Sequence, residues 1–167
     1  MPQIQVWRES AAAKLPTQAT DRAQCIDLYA AEDAELLPGE TKAVSLGIRV
    51  VLPEGYGLEF RERSGLALKG VLIGAGIIDE DYHGPLKAIV RFMGHEFVQR
   101  PDGVDSPVER SPQWRPFNIK AGDKIVQAEL VKRIPIEIKD VGVLTFQHAS
   151  DMAKSDRGDR GFGSTGN

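Results

Sequence analysis

The chain repeats its apolar residues at a period of two. Val44, Leu46, Ile48 and Val50 alternate with smaller or polar neighbours, as do Tyr56, Leu58 and Phe60, then Leu86, Ala88 and Val90. An extended backbone sends successive side chains to opposite faces, so this spacing predicts strands with one buried face. Further strands are expected at residues 4–7, 71–73 and 125–131, and at Ile134, Ile136 and Ile138. Turn signals separate them, among them Pro38-Gly39, Pro53-Glu54-Gly55 and Ala121-Gly122-Asp123. Many short strands predict an all-β sandwich or barrel, and 167 residues supply one sizeable core, hence one domain. Residues 23–37 conflict with this pattern, because they are rich in Ala, Leu and Glu and by propensity alone predict a helix. Residues 95–114 carry Pro101, Pro107 and Pro112, mixed charge and no periodicity, which predicts a long surface loop between two strands.

Charge narrows the partners. A net charge of −3 argues against general binding to nucleic acid or a membrane surface, both of which ask for a basic face. Cys25 is the sole cysteine, so no intrachain disulfide forms, and with three scattered histidines it gives no metal-ligand spacing. No run of about 18 apolar residues is present, and Met1-Pro2-Gln3-Ile4-Gln5-Val6 lacks the regions of a signal peptide. A cytoplasmic protein is expected.

Several islands carry chemistry beyond what folding requires. Arg63-Ser64-Gly65-Leu66-Ala67 follows a strand; it reads either as a turn and short helix capped by Ser64 or as a holder of phosphate oxygens at a helix start. Gly76-Ile77-Ile78-Asp79-Glu80-Asp81-Tyr82-His83-Gly84 packs three carboxylates and a tyrosine into a turn between apolar strands. Such crowding suits an acidic hairpin, yet like charges this close repel unless a metal ion or an arginine offsets them. One Asp there could deprotonate a water. Asp27-Leu28-Tyr29-Ala30 and Gly122-Asp123-Lys124-Ile125-Val126-Gln127 read on their own as ordinary turn and strand-entry segments. The tail Arg157-Gly158-Asp159-Arg160-Gly161-Phe162-Gly163-Ser164-Thr165-Gly166 has no apolar period; it is either a flexible end or a wrap whose glycines, arginines and aromatic ring suit a polyphosphate on a base.

Taken in order, these five segments resemble the motifs of the trimeric dUTP pyrophosphatase family, the dUTPases, along nearly the whole chain. The resemblance implies an antiparallel jelly-roll-like (β-clip) domain over residues 1–150, extended rather than helical at 23–37. It also implies a flexible arm over 151–167 that closes on a neighbour's site within a homotrimer. By the same resemblance the substrate is dUTP and the cofactor Mg²⁺. Asp79 is the catalytic carboxylate that activates the attacking water, Tyr82 packs beneath the deoxyribose, and Gly76, Ile77, Ile78 and Lys87 belong to the hairpin that reads uracil. Arg63, Ser64, Gly65 and Gln127 serve the substrate, Asp27 touches the metal through water, and Arg157, Phe162, Gly163, Ser164 and Thr165 form the lid over base and γ-phosphate.

Departures from the family pattern are local. Gln24-Cys25-Ile26 precede Asp27 where the family has Ala-Gly, Arg160 replaces a glycine, and His83 replaces the common arginine. The insertion at about 95–114 offers Phe97, Arg100, Arg110 and Trp114 to a protein partner, or is a solvated loop. A dCTP deaminase shares the fold and stands as the alternative enzyme.

Overall fold

The computed structural model describes residues 1–94 and 115–143 and, for the backbone alone, 97–99 and 105–107. It divides into two units, Met1–Ile134 and Pro135–Asn167. The first unit carries β1 (Gln5–Arg8), β2 (Thr17–Gln18), β3 (Ile26–Tyr29), β4 (Ala34–Leu36), β5 (Thr41–Ser45), β6 (Ile48–Val51) and β7 (Tyr56–Arg61). After the four-residue helix α1 (Ser64–Ala67) come β8 (Val71–Gly74), β9 (Ile77–Ile78), β10 (Lys87–Phe92), β11 (Phe97–Gln99), β12 (Asp105–Pro107), β13 (Phe117–Ile119) and β14 (Lys124–Lys132).

Every strand pairing among the described residues is antiparallel, and the fold is all-β and jelly-roll-like. The largest sheet runs β2-β3-β14-β7-β9, a second runs β5-β10-β8, and β1-β6, β13-β4 and β11-β12 pair separately. Alternation explains the core: Val44, Leu46, Ile48 and Val50 are each at most 2% exposed and meet Leu28, Leu58, Leu86, Val90 and Val126 in one apolar cluster. β14 lies between β3 and β7 in the largest sheet, so it positions side chains against both.

The run from Val44 to Val50 is two strands, broken at Gly47, where φ is +64°. That backbone region suits glycine, and a Cβ at Gly47 would also stand 2.7 Å from the Ala31 Cβ. Alternation survives the break because Leu46 stays buried between the strands, its amide donating to the Leu86 carbonyl at 3.0 Å.

Residues 23–37 are extended, as the family resemblance implies and against helix propensity alone: they hold β3 and β4, with Leu28 and Leu36 almost completely buried, so packing overrides propensity. Two local expectations change. Ile134, Ile136 and Ile138 form no strand. They are 78%, 82% and 91% exposed, and no ladder partner lies beside them among the described residues. Alternation supplies two faces, but a strand also needs a neighbour for its amides. In the 95–114 insertion, β11 and β12 pair Phe97 with Pro107 and Gln99 with Asp105, a short hairpin in place of a plain loop. The boundary after residue 150 and the 151–167 arm lie outside the described residues.

Two glycines separate strain from crowding. Gly39 has φ +81° with nothing within 4 Å of an added Cβ, whereas Gly47 has both a positive φ and the Ala31 contact. Gly47→Ala is expected to lose about 1–3 kcal/mol more stability in urea unfolding than Gly39→Ala. Equal losses would remove Ala31 crowding from the account.

Candidate active site

Two groups of chemically capable side chains stand on the largest sheet. The first is the turn that follows β9. Phe60 N–H donates to the Gly76 carbonyl at 2.7 Å, and a Cβ at Gly76 would lie 2.8 Å from the Phe60 carbonyl oxygen, so only glycine lets the chain come this close to β7. Ala75, just before it, has φ +49°, the one positive value at a non-glycine among the described residues. The chain then pairs briefly as β9, with Ile78 opposite Leu58 and Ile77 opposite Glu59.

From Asp79 the backbone leaves the sheet. Tyr82 N–H donates to the Asp79 carbonyl at 3.1 Å, and the Tyr82 hydroxyl donates to the Pro85 carbonyl at 3.1 Å. The ring folds back over Gly84, where any Cβ would collide with the Tyr82 ring and hydroxyl. The chain is recaptured at Leu86, fully buried, whose N–H donates to the Ile48 carbonyl at 2.9 Å. Between turn and sheet lies a pocket of about 430 Å³, lined by Ala75, Ile77, Ile78, Asp79, Tyr82, Lys87 and neighbouring apolar residues. Because β9 is the edge of its sheet, its outer amides and carbonyls have no strand beside them among the described residues.

The second group centres on Asp27, the one buried polar or charged side chain among the described residues, 8% exposed. β3 brings it opposite Gln127 of β14. Arg63 Nε donates to Asp27 Oδ1 at 3.2 Å and Lys124 Nζ to Oδ2 at 2.7 Å, while Arg63 Nη1 donates to the Lys124 carbonyl at 2.8 Å. Both oxygens of the buried carboxylate are thus held by cations, which burial of a charge demands. The hydrogen bond to Asp27 holds the Lys124 ammonium above the ordinary lysine range. Lys14 and Lys124 both lie over the Tyr29 ring, at 5.1 and 5.9 Å from its centre. Gln127 donates to the Glu62 carbonyl at 2.8 Å, joining β14 to the turn before Arg63.

The structure therefore gathers Gly76, Ile77, Ile78, Asp79, Tyr82 and Lys87 in one place and Asp27, Arg63 and Gln127 in another. The strands carrying Asp27 and Ile78 are three positions apart in the sheet, roughly 14 Å at ~4.8 Å per step. Ser64 and Gly65 are exposed in α1, but Ser64 does not cap it: the cap position is the extended Arg63, whose side chain bonds Asp27 and the Lys124 carbonyl and makes no capping bond to the helix. Arg157, Phe162, Gly163, Ser164 and Thr165 lie outside the described residues. Sequence reasoning missed Lys124. Its register with Tyr29 shifts before Val126, and Ile125 and Val126 are both buried, so strict alternation could not tell which way it faces.

A dUTPase family model matches residues 11–99. The deoxyuridine 5'-triphosphate nucleotidohydrolase of Variola virus is 33% identical over 163 residues, which are 98% of this chain and 92% of that one. The chain belongs to the dUTPase family. Among solved structures, a Staphylococcus bacteriophage 80alpha dUTPase with dUpNHpp is 27% identical and superposes with a TM-score of 0.75, covering 99% of each chain. A mutant dUTPase from phage phi11 of S. aureus, described with a structural Mg(II) ion, is 26% identical with a TM-score of 0.68, covering 85% of this chain and 98% of that one. The dUTPase resemblance read from the five segments is thus matched by relatives spanning nearly the whole enzyme.

Lys124 carries a pH signature. The folded chain holds its proton more tightly than the unfolded chain, whose lysine sits near 10.5, so the pair stabilises fully below that pH and its contribution is lost as pH rises through the higher folded value. Urea midpoints measured at about pH 9 and about pH 11.5 are expected to fall further for the native sequence than for Asp27→Asn. Equal falls would mean the pair contributes nothing to stability.

Proposed function

We propose that this dUTPase-family enzyme hydrolyses dUTP to dUMP and pyrophosphate, which limits uracil incorporation into DNA and supplies dUMP for thymidylate synthesis. The observation that carries the reading is the pocket where the free edge of β9, the Asp79 carboxylate and the folded-back Tyr82 meet. A strand edge offers backbone donors and acceptors in a fixed row, which suits the O2, N3–H and O4 edge of uracil. Cytosine presents a donor where uracil presents O4, leaving a backbone donor unpaired and disfavouring that base. Tyr82, tied to Pro85, gives the sugar a fixed apolar floor that leaves no room for a 2′-hydroxyl.

Asp79 takes the proton of a water whose oxygen bonds to the α-phosphorus, while the bond from that phosphorus to the α,β-bridging oxygen breaks and pyrophosphate leaves. Arg63, the Ser64 hydroxyl, the Gly65 amide and Gln127 face the charge that builds on the phosphates. Magnesium fits the donors present. No group of three or more His, Cys, Asp or Glu able to hold a metal is found among the described residues, and Mg²⁺ on a triphosphate keeps several waters and needs no protein cage. Asp27 would touch that water shell, and the ion would supply neutralisation of phosphate charge. Arg157 and the Gly163, Ser164 and Thr165 donors would close on the γ-phosphate, with Phe162 over the base. A homotrimer fits the division of the chain into two groups three strands apart, since a boundary between copies can bring one copy's Asp27 group to another's Asp79 turn. No helix among the described residues is long and apolar enough to cross a membrane, and we assign the activity to the cytoplasm.

A second reading concerns the 95–114 insertion. The 80alpha relative is described among phage dUTPases that control transfer of virulence genes, and the paired β11 and β12 within this insertion are where a protein partner could dock.

Asp79→Asn is expected to lose at least about a hundredfold in pyrophosphate release while dUTP binding persists, the scale of a lost general base. Activity within a few-fold of the native enzyme would take Asp79 out of its role, and ammonia release from dCTP would give the site to a deaminase instead. In the same assay, deletion of residues 96–113 should leave turnover intact while abolishing capture of any regulatory partner; unchanged capture would sink the docking reading.

A further inference from the structure

Among the described residues, the turn from Asp79 to Pro85 has no strand beside it, so its place depends on side chains that reach it from elsewhere. Among the described residues, two side chains from outside the turn bond to it. Arg49 of β6 donates from Nη1 to the His83 carbonyl at 3.3 Å, and its Nε is already paired with Glu9 at 3.1 Å. Arg133 donates from Nε to Glu80 Oε2 at 3.2 Å. Only the second reaches a side chain of the acidic run. Arg133 is itself fixed, directly after β14, by its own N–H donating to the Gly55 carbonyl at 2.8 Å.

A second pocket lies on the other side of Asp79, about 570 Å³ in volume, and Glu54, Asp79, Glu80, Asp81, His83 and Arg133 line it. Asp79 is the one charged residue of that wall that also faces the 430 Å³ pocket. Four carboxylates meet there, with Arg133 as the single arginine or lysine among the lining residues. Four carboxylates lining one pocket repel one another, and the repulsion acts on a turn with no strand beside it among the described residues. It would also oppose the approach of a polyanion to Asp79.

We propose that Arg133 is a positioning residue for Asp79: its bond to Glu80 offsets the acidic run and holds the turn so that Asp79 faces the substrate pocket. The proposal rests on the reading of Asp79 as the group that activates water. Arg133 touches neither substrate nor reacting atoms. Its side chain is 58% exposed and that of Glu80 28%, so the pair is screened and its effect is moderate.

The test is kcat/KM for Mg²⁺-dependent pyrophosphate release from dUTP at low and high ionic strength, with thermal unfolding recorded for each variant. Arg133→Gln is expected to lower kcat/KM about threefold to fivefold at about 0.01 M salt, and by less at about 1 M, where screening is strong. Arg133→Lys should retain most of the activity, and adding Glu80→Gln to Arg133→Gln should restore it to within about twofold, because the unpaired carboxylate is gone. A merely structural role predicts neither the salt dependence nor the rescue. Native kcat/KM in Arg133→Gln, or a loss that Glu80→Gln fails to repair, overturns the proposal. Asp79→Asn assayed beside them separates the two readings: if it abolishes turnover while Arg133→Gln is unaffected, positioning alone fails, and if it retains turnover both readings fall.

Discussion

One buried carboxylate ties the sheet to the site. Asp27 sits on β3 with both oxygens engaged, one by Arg63 at the entry to α1 and the other by Lys124 at the start of β14. Three segments distant in sequence meet on this charge. A lone carboxylate there would be costly, so the fold must bring both cations to it, and the Arg63 bond to the Lys124 carbonyl locks that arrangement to the backbone. In the proposed function, Arg63 and Asp27 of these three side chains also face the phosphates and the water shell of their magnesium.

The Asp79 turn obeys a different constraint, which is close approach. Gly76 lets the backbone touch β7, Gly84 lets Tyr82 fold back, and Leu86 returns the chain to the core. Between these fixed points the chain leaves the sheet, and among the described residues no strand lies on the outer side of β9. A side chain at Gly76 would press on the Phe60 backbone, and one at Gly84 would displace the Tyr82 ring. The carboxylate proposed to activate water is therefore carried by a segment with few hydrogen bonds of its own, placed by what surrounds it.

Much of the fold was legible because alternation is a direct consequence of the extended backbone: β5, β6, β7 and β10 all appear where apolar residues recur at period two, and β14 where they form a short apolar run. Where alternation had no partner it misled, as at Ile136 and Ile138, since a ladder cannot be seen in one segment. Propensity misled at residues 23–37, where Leu28 and Leu36 are chosen for packing rather than for helix. In the candidate site, the Gly76–Gly84 segment singled out by its residue types does place Asp79 and Tyr82 on one pocket, while Arg63 stands apart from it beside Asp27. Lys124 was hidden by the register shift before Val126, and Arg133 by a bond to Glu80 that spans 53 positions in sequence.

The measurement closest to the central claim is Mg²⁺-dependent pyrophosphate release from dUTP, with UTP, dCTP and dTTP in parallel and the nucleotide product identified. The account predicts dUMP and pyrophosphate from dUTP, with the other three turned over far more slowly, because the strand edge selects the base and Tyr82 selects the sugar. Comparable turnover of UTP or dCTP, or saturable dUTP binding without pyrophosphate release, would contradict it.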